Sequence, residues 1–349
     1  MNNKILSISI ASYNAEKDIL RCLDSMINTS VLDLLDIIVI NDGSEDETSI
    51  VASKYAKKYP NSIRVINKEN GGHGSTINVG ITEAVGKYFK IVDSDDWVDK
   101  DGIEELVHFL SENDVDLVFN PFHVVSFCDL KKQFLVDPCP VSSVKNKIVN
   151  VSDLSGNEKL YMHSMTFKTE LMKKVGPIID EHCFYVDMEY CIYPLIYVKT
   201  VCYLSSSVYL YLVGNPTQSV AMSVSIKRRN DALKVITSLV SFYNKTLKSS
   251  NLSSSLIKGI VYSRIMHAIQ AQYKIYIIMN SREAKNEMDQ FTIYLKNKGF
   301  YLPVYFDSLF KKIIWFLLLS NNYFVYKVLS FSLRQYKKIE NKLDHNVKM

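Results

Sequence analysis

Through the first 120 residues, short apolar runs alternate with segments whose apolar positions recur at helical spacing, the pattern that βαβ units produce. Ile5 to Ala11 reads as a first strand. Ile19, Leu20, Leu23, Met26 and Ile27 then share one face of a helix, with Asn14 as its expected cap. Asp36-Ile37-Ile38-Val39-Ile40 is nearly all apolar, as a strand covered on both faces of a parallel sheet must be. The alternation predicts a helix near 47–58, a strand at 63–66, a helix near 75–84, a strand at 88–92, a helix near 103–110 and a strand at 116–119. From there to about residue 150 the chain is expected to be irregular, broken by Pro121, Pro138 and Pro140. Beyond Ile226 helical spacing returns, first in Ala232, Leu233, Val235, Ile236, Leu239, Val240 and Tyr243, then in Ile260, Tyr262, Ile265, Met266 and Ile269. The expected fold class is therefore α/β: a doubly wound, mostly parallel sheet in residues 1–225, with halves 1–120 and 121–225, followed by a smaller helical C-terminal region over 226–349.

In doubly wound sheets ligands bind outside the carboxyl ends of the strands. The polar loops at those ends are Ser12-Tyr13-Asn14, Asn41-Asp42-Gly43-Ser44, Asn70 to Ser75 and Asp93 to Trp97. Asp93-Ser94-Asp95-Asp96 puts three carboxylates at the exit of one strand, where they repel one another. A hard dication relieves that repulsion, since Mg²⁺ and Mn²⁺ take one or two carboxylates and complete their shell with phosphate oxygens. A solvated acidic turn has the same spacing. Asp42 can accept the imide N–H of a uracil ring or close an Asx turn before Gly43. The glycines of Asn70-Gly71-Gly72-His73-Gly74-Ser75 let a backbone come close to a ligand and leave the next helix N-terminus open to an anion. His73 is either part of that site or a loop histidine.

Four segments in fixed order carry a family resemblance: Ser7 to Asn14, Ile37 to Ser44, Asn70 to Gly80 and Gly86 to Trp97. Together they resemble family 2 glycosyltransferases with the GT-A fold, over about residues 4–115. The resemblance implies inverting transfer from a UDP-activated or similar nucleotide-sugar donor, with Mn²⁺ or Mg²⁺ as cofactor. It implies that Ala11 and Tyr13 line the nucleobase, that Asp42 binds it, and that Asn14, Asn70, Gly72, His73, Gly74, Ser75 and Ser94 surround the nucleotide. Asp93 then holds the ribose side, and Asp95, with Asp93, the metal. Two departures stand out: Ala11 where the family often has Pro, and Ile77-Asn78 where it has an Arg-Asn pair. The second removes a cation from that helix and puts more weight on the metal.

Inverting transfer needs a base for the acceptor hydroxyl. The resemblance puts it in a Glu-Asp-like motif downstream, where this chain has Tyr185-Val186-Asp187-Met188-Glu189-Tyr190. Asp187 is the expected base and Glu189 the alternative; an extended segment would turn both to one side, and the neighbouring rings would desolvate them. Trp97, His163, Ser164, Tyr185 and Gln218 are candidates for the acceptor or sugar, offering hydroxyls, amides and aromatic faces. For His163 a place in the core is an equal expectation.

Composition narrows the classes. Of 349 residues 47% are apolar and 22% charged, ordinary globular usage that excludes disordered and fibrous chains, and a net charge of +4 gives no argument for nucleic acid. Six cysteines without a CxxC pair speak against a zinc module or disulfide framework and for a reducing compartment. The opening residues carry no secretory signal, and the longest apolar run, Ile313 to Leu319, is far below the ~20 residues of a membrane span. A cytoplasmic protein is expected, resting on the inner face of the membrane if its basic, aromatic stretch Phe310–Lys338 is an interfacial helix. The same stretch equally suits a helix packed on the catalytic domain or in a homodimer. The expected partners are a nucleotide-sugar donor and a saccharide or lipid-linked saccharide acceptor in polysaccharide assembly. Competing readings are a sugar nucleotidyltransferase, whose Gly-rich basic loop is missing after the first strand, and a non-catalytic nucleotide-sugar-binding protein, against which Asp187 beside Asp93 and Asp95 speaks.

Overall fold

The computed structural model describes residues 4–139, 142–154, 159–176, 178–214, 222–248, 255–301, 320 and 322–332. Gln218 and most of the 310–338 stretch lie outside them. The chain divides into two compact units, one containing the sheets together with residues 245–261, the other made of residues 222–244 and those from 262 onward.

In the first unit, β1 (Leu6–Ser12), β2 (Leu35–Asp42), β3 (Ile63–Lys68) and β4 (Tyr88–Asp93) lie in the order β3-β2-β1-β4, all parallel. Every residue of β2 is buried, as its apolar run requires. The connections are α1 (Ile19–Ile27), α2 (Thr48–Lys58) and α3 (His73–Glu83). Helix α1 turns Ile19, Leu23 and Met26 into the core, each worth about 1.5–3 kcal/mol when fully covered. Asn14 does not cap it: Asn14 has φ 50° in the preceding loop, and Asp18 occupies the cap position. After β4 come β5 (Trp97–Val98) and α4 (Lys100–Glu112), the latter capped by Asp99, whose side chain accepts from Gly102 N.

The remaining elements of this unit are β6 (Leu117–Phe119), β7 (Phe122–Ser126), β8 (Lys132–Val136), β9 (Ile148–Asn150), β10 (Met165–Lys168), α5 (Thr169–Val175), α6 (Asp187–Ile192), β11 (Thr200–Tyr203) and β12 (Tyr209–Val213). Strands β10, β6, β11 and β9 extend the parallel core to eight strands, with β10 antiparallel to both β4 and β6. The other four form a second sheet, β5-β12-β7-β8. The stretch expected to be irregular thus carries three strands. Pro121 and Pro138 sit outside β7 and β8 rather than within them, and β8 leaves Lys132 to Leu135 exposed, so it lacks the alternation that marks a half-buried strand.

The second unit contains α7 (Met222–Lys227), α8 (Arg229–Phe242), most of α9 (Ser255–Met279), α10 (Arg282–Asn297) and a final helix over 323–332. Tyr273, Tyr276 and Phe291 cluster in its core, and Arg229 pairs with Glu283 and Glu287.

Candidate active site

Strand β4 ends at Asp93 and the chain turns at once, closed by Asp96 N donating to the Asp93 carbonyl at 3.1 Å. Through this turn burial alternates: Asp93, Asp95 and Trp97 are half-buried, while Ser94, Asp96 and Val98 are buried. Asp93, Asp95 and Asp96 each present a carboxylate oxygen within 4.8 Å of the others. Their environments differ. Burial, reinforced by the charges of Asp95 and Asp93, raises the Asp96 pKa well above the usual range, and the protein occupies both of its oxygens. Oδ2 accepts from the Tyr209 hydroxyl and Oδ1 from Leu212 N, each at 2.7 Å. Asp93 and Asp95 are the less buried two of the three. Two carboxylates on a strand end suit the ligand number that Mg²⁺ or Mn²⁺ takes beside phosphate oxygens.

Across from the turn, at the start of α3, His73 Nε2 lies 3.3 Å from Asp93 Oδ1. The pair is close enough for ionic attraction but does not form a well-directed hydrogen bond, as Nε2 otherwise lacks a partner. Burial works against the charge on each, yet their attraction prevails: the Asp93 pKa is lowered and the His73 pKa raised. His73 also feels Asp187 and Asp95, so it sits amid carboxylates from two segments. Besides His73 Nε2, Ser12 Oγ at the end of β1, Arg21 Nε on α1 and His163 Nδ1 are buried without hydrogen-bond partners. Buried polar atoms rarely remain so, and a polar ligand at this strand edge is one way to satisfy them.

Several residues assigned to the nucleotide are engaged by the protein itself. Asp42 is buried; its Oδ1 accepts from Lys68 Nζ (2.7 Å), Gly71 N (2.9 Å) and Ser75 Oγ (3.3 Å), and its Oδ2 from Gly72 N (2.8 Å). In this structure the amides of Gly71 and Gly72 in the glycine-rich loop donate to Asp42. The glycines serve packing: a Cβ on Gly74 would stand 2.0 Å from the Asp180 carbonyl oxygen, and Gly72, at φ 79°, faces the His182 backbone. His182 N donates to the Gly71 carbonyl at 2.6 Å, which ties the segment around 180–182 to the glycine-rich loop. Asn70 donates to the Asp42 carbonyl, and Asn14 fastens its loop to Ser44 and Glu45. Ser94 is buried. Ala11 stands beside Asp93 in the β1–β4 register, and the Tyr13 ring is 53% exposed.

The two candidate bases separate. They lie in the first turn of α6, not in an extended segment, so residues two apart point to different sides. Glu189 is fully buried; its Oε2 accepts from Asp180 N (2.8 Å) and its Oε1 from the Tyr193 hydroxyl (2.9 Å). Burial pushes its pKa up to about 7. Asp187 is half-buried, and its charge acts on His73 and on Tyr211.

Among the acceptor candidates, Ser164 is fully buried and its hydroxyl donates to the Tyr161 carbonyl. The His163 ring packs between Tyr211 (4.2 Å) and Tyr209 (4.8 Å), and burial lowers its pKa to about 4. Tyr185 has φ 68° and its ring lies 6.2 Å from that of Phe184. Trp97 carries the Arg21 guanidinium 4.5 Å above its ring. Arg21, absent from the sequence-based set, also donates to the Asp95 carbonyl at 2.8 Å and to Asp18. Lys90 was missed as well. Lys90 is fully buried, and its Nζ donates to the carbonyls of His163 (2.8 Å) and Met165 (3.3 Å). A lysine inside an apolar strand was the available signal.

A family model, Glycosyl transferase family 2, matches residues 7–165. The minor teichoic acid biosynthesis protein GgaB of Bacillus subtilis is 34% identical over 122 residues, 34% of this chain and 14% of that protein. The curated relatives are matched over about a third of their length or less. Among solved structures, residues 1–349 of S. aureus TarS in complex with UDP-GlcNAc superpose with a TM-score of 0.54 at 17% identity, covering 95% of this chain and 92% of that one. The mannosyltransferase PcManGT from Pyrobaculum calidifontis, in complex with GDP-Man and Mn²⁺, gives 0.50 at 14% identity, covering 93% and 83%. These likenesses bear on the fold, and they agree with a large mixed sheet followed by helices. With their motifs in order and the acidic turn at the strand edge, residues 7–165 of this chain match the model of glycosyl transferase family 2.

Proposed function

We propose that the chain is an inverting glycosyltransferase that moves a sugar from a nucleotide donor, a UDP-sugar first, to a saccharide or lipid-linked saccharide in cell-surface polysaccharide synthesis. The observation that carries this reading is the division of labour at the acidic turn. Both oxygens of Asp96 are taken by the fold, while Asp93 and Asp95 are half-buried with carboxylate oxygens within 4.8 Å of one another, and the charge of Asp187 acts on the same His73 that pairs with Asp93. Asp95, with Asp93, would hold Mg²⁺ or Mn²⁺, which when bound supplies the Lewis acid that stabilises a departing nucleotide diphosphate. Ala11 and Tyr13 border the nucleobase, and Asp93 the ribose. His73 keeps Asp93 ionised, and Asp42 shapes the loop from which His73 projects. Asp187 takes the proton of the acceptor hydroxyl, with Trp97 and Tyr185 near the sugars.

A thermal-shift screen tests this. The melting temperature should rise with one nucleotide diphosphate or nucleotide sugar, and only when Mn²⁺ or Mg²⁺ is present; at a ligand concentration 100 times Kd the gain is about 2.7 kcal/mol. Uridine and guanosine donors should both be screened, because the TarS and PcManGT complexes hold different nucleotides. Silence toward every nucleotide with Mn²⁺, together with no hydrolysis of any nucleotide sugar, would remove the reading.

We infer further that the C-terminal region rests on an anionic membrane face. Helix 323–332 exposes Phe324 (72%), Val328 (47%) and Phe331 (57%), an i, i+4, i+7 stripe, next to the exposed Lys327. Residues 310–349 carry eight Lys or Arg against two acids, and basic charge beside apolar side chains is what interfacial binding uses. No helix among the described residues is long and apolar enough to cross a membrane. Co-sedimentation with phosphatidylglycerol vesicles should be strong at low salt, weak with phosphatidylcholine alone, and lost in a Phe324→Asp, Phe331→Asp double variant. If that variant instead splits a dimer and leaves vesicle binding unchanged, the stripe is a homodimer contact.

A further inference from the structure

The acidic turn is fastened less by its own sequence neighbours than by β12. One phenol oxygen touches both of its ends: the Tyr209 hydroxyl accepts from Asp93 N at 3.1 Å and donates to Asp96 Oδ2 at 2.7 Å. Two residues further on in β12 than the intervening Leu210, Leu212 N donates to Asp96 Oδ1 at 2.7 Å, and the same strand pairs with β5 directly after the turn through Leu210 with Trp97 and Tyr209 with Val98. The Tyr209 ring is itself held on two sides. Lys90 Nζ stands 5.7 Å from its centroid, tied to the His163 and Met165 carbonyls, and the His163 ring meets it edge-on at 4.8 Å. Tyr209 and Lys90 are both fully buried, so neither has water as a substitute partner. A phenol has one proton to give and lone pairs to accept with, and here both functions are spent on the turn.

We propose that Tyr209 is the positioning residue of the acidic turn and that Asp96 is its counterpart rather than a metal ligand, so that β12 sets the direction in which Asp95 points. This rests on the reading of Asp95 as the ligand of a dication. Were Asp96 to turn toward a metal, the Tyr209 hydroxyl would lose the acceptor of its buried proton and Leu212 N its bond to Asp96, and two of the links between the turn and the second sheet would go.

The test uses the full chain and three variants, Tyr209→Phe, Asp96→Asn and Asp96→Ala, with Asp95→Ala as the reference. Amide hydrogen exchange is measured without metal. Tyr209→Phe keeps the ring and removes only the hydroxyl, so exchange should rise at residues 93–97 while β1 and β2 stay protected. Mn²⁺ binding, followed by electron paramagnetic resonance in the presence of UDP, should weaken about tenfold in Tyr209→Phe and Asp96→Ala, the usual scale for losing a group that orients a ligand. Asp96→Asn should largely restore it, because the amide oxygen still accepts from Leu212 N and the amide nitrogen can donate to the Tyr209 oxygen. Unchanged exchange at 93–97 in Tyr209→Phe overturns the proposal, as does loss of Mn²⁺ in Asp96→Asn as complete as in Asp95→Ala. If the unaltered chain binds no Mn²⁺, the proposed function fails instead, and hydrogen exchange still decides the role of Tyr209.

Discussion

Asp95→Ala is expected to abolish sugar transfer, by about 10³-fold or more, while leaving the metal-free protein at least as stable as before. The rate loss follows from removing a dication's anchor: charge stabilisation of several kcal/mol disappears, at about 1.4 kcal/mol per factor of ten. The stability claim follows from the crowding of the turn. Asp93, Asp95 and Asp96 have carboxylate oxygens within 4.8 Å of one another, and Asp96 is held above its usual pKa by burial and then by the charges of its two neighbours. Deleting one like charge relieves the other two, and the Arg21 bond to residue 95 survives because it is made to the backbone carbonyl. The hallmark is therefore a pair of melting curves. Without metal the variant should melt at or above the unaltered chain, and on adding Mn²⁺ with a nucleotide the upward shift should appear only in the latter. Full transfer by Asp95→Ala, or a variant that melts well below the parent in the absence of metal, would contradict the assignment.

The parts of this site visible in the sequence are those built from neighbours along the chain. The apolar run of β2 marks a strand covered on both faces, and an acidic cluster straight after another strand marks its carboxyl edge; both are local patterns that packing had no reason to override. What the sequence concealed depends on pairings across the fold. The partners of Asp42, Lys68 at the end of β3 and Gly71, Gly72 and Ser75 beyond it, meet it only once the strands are aligned. The division among the three acids turns on Tyr209 and Leu212, over a hundred residues later, in a strand with no motif. Helix α6 went unread because six residues are too few to show a helical period, and a motif with acids two apart suggests a strand equally well. Asn14, a residue type favoured at helix starts, adopts φ 50° in a turn instead, a conformation asparagine reaches more readily than most residues, and its amide oxygen accepts from Glu45 N across the fold.

Asp187→Ala should lower transfer by about 10²–10⁴-fold, the contribution of a positioned general base, while the melting shift produced by Mn²⁺ and the donor nucleotide stays intact. That separation distinguishes it from Asp95, whose loss takes nucleotide binding as well. Glu189→Gln serves as the counter-experiment, because Glu189 is embedded in the fold with Asp180 N and the Tyr193 hydroxyl as its partners. Its effect should fall on stability. The Glu189 pKa rises from 4.5 to about 7 on folding, so between those values the folded state binds more protons than the unfolded one. Stability from this group is then fully present below pH 4.5 and is lost as pH climbs toward 7, the opposite of an ion-paired carboxylate. Glutamine cannot ionise, so the variant should show a flatter melting temperature between pH 5 and about 8 than the parent, with its catalytic rate per folded molecule changed far less than in Asp187→Ala. A collapse of turnover in Glu189→Gln with an unaltered pH–stability profile, beside an active Asp187→Ala, would transfer the base to Glu189 and require that its two hydrogen bonds open during the reaction.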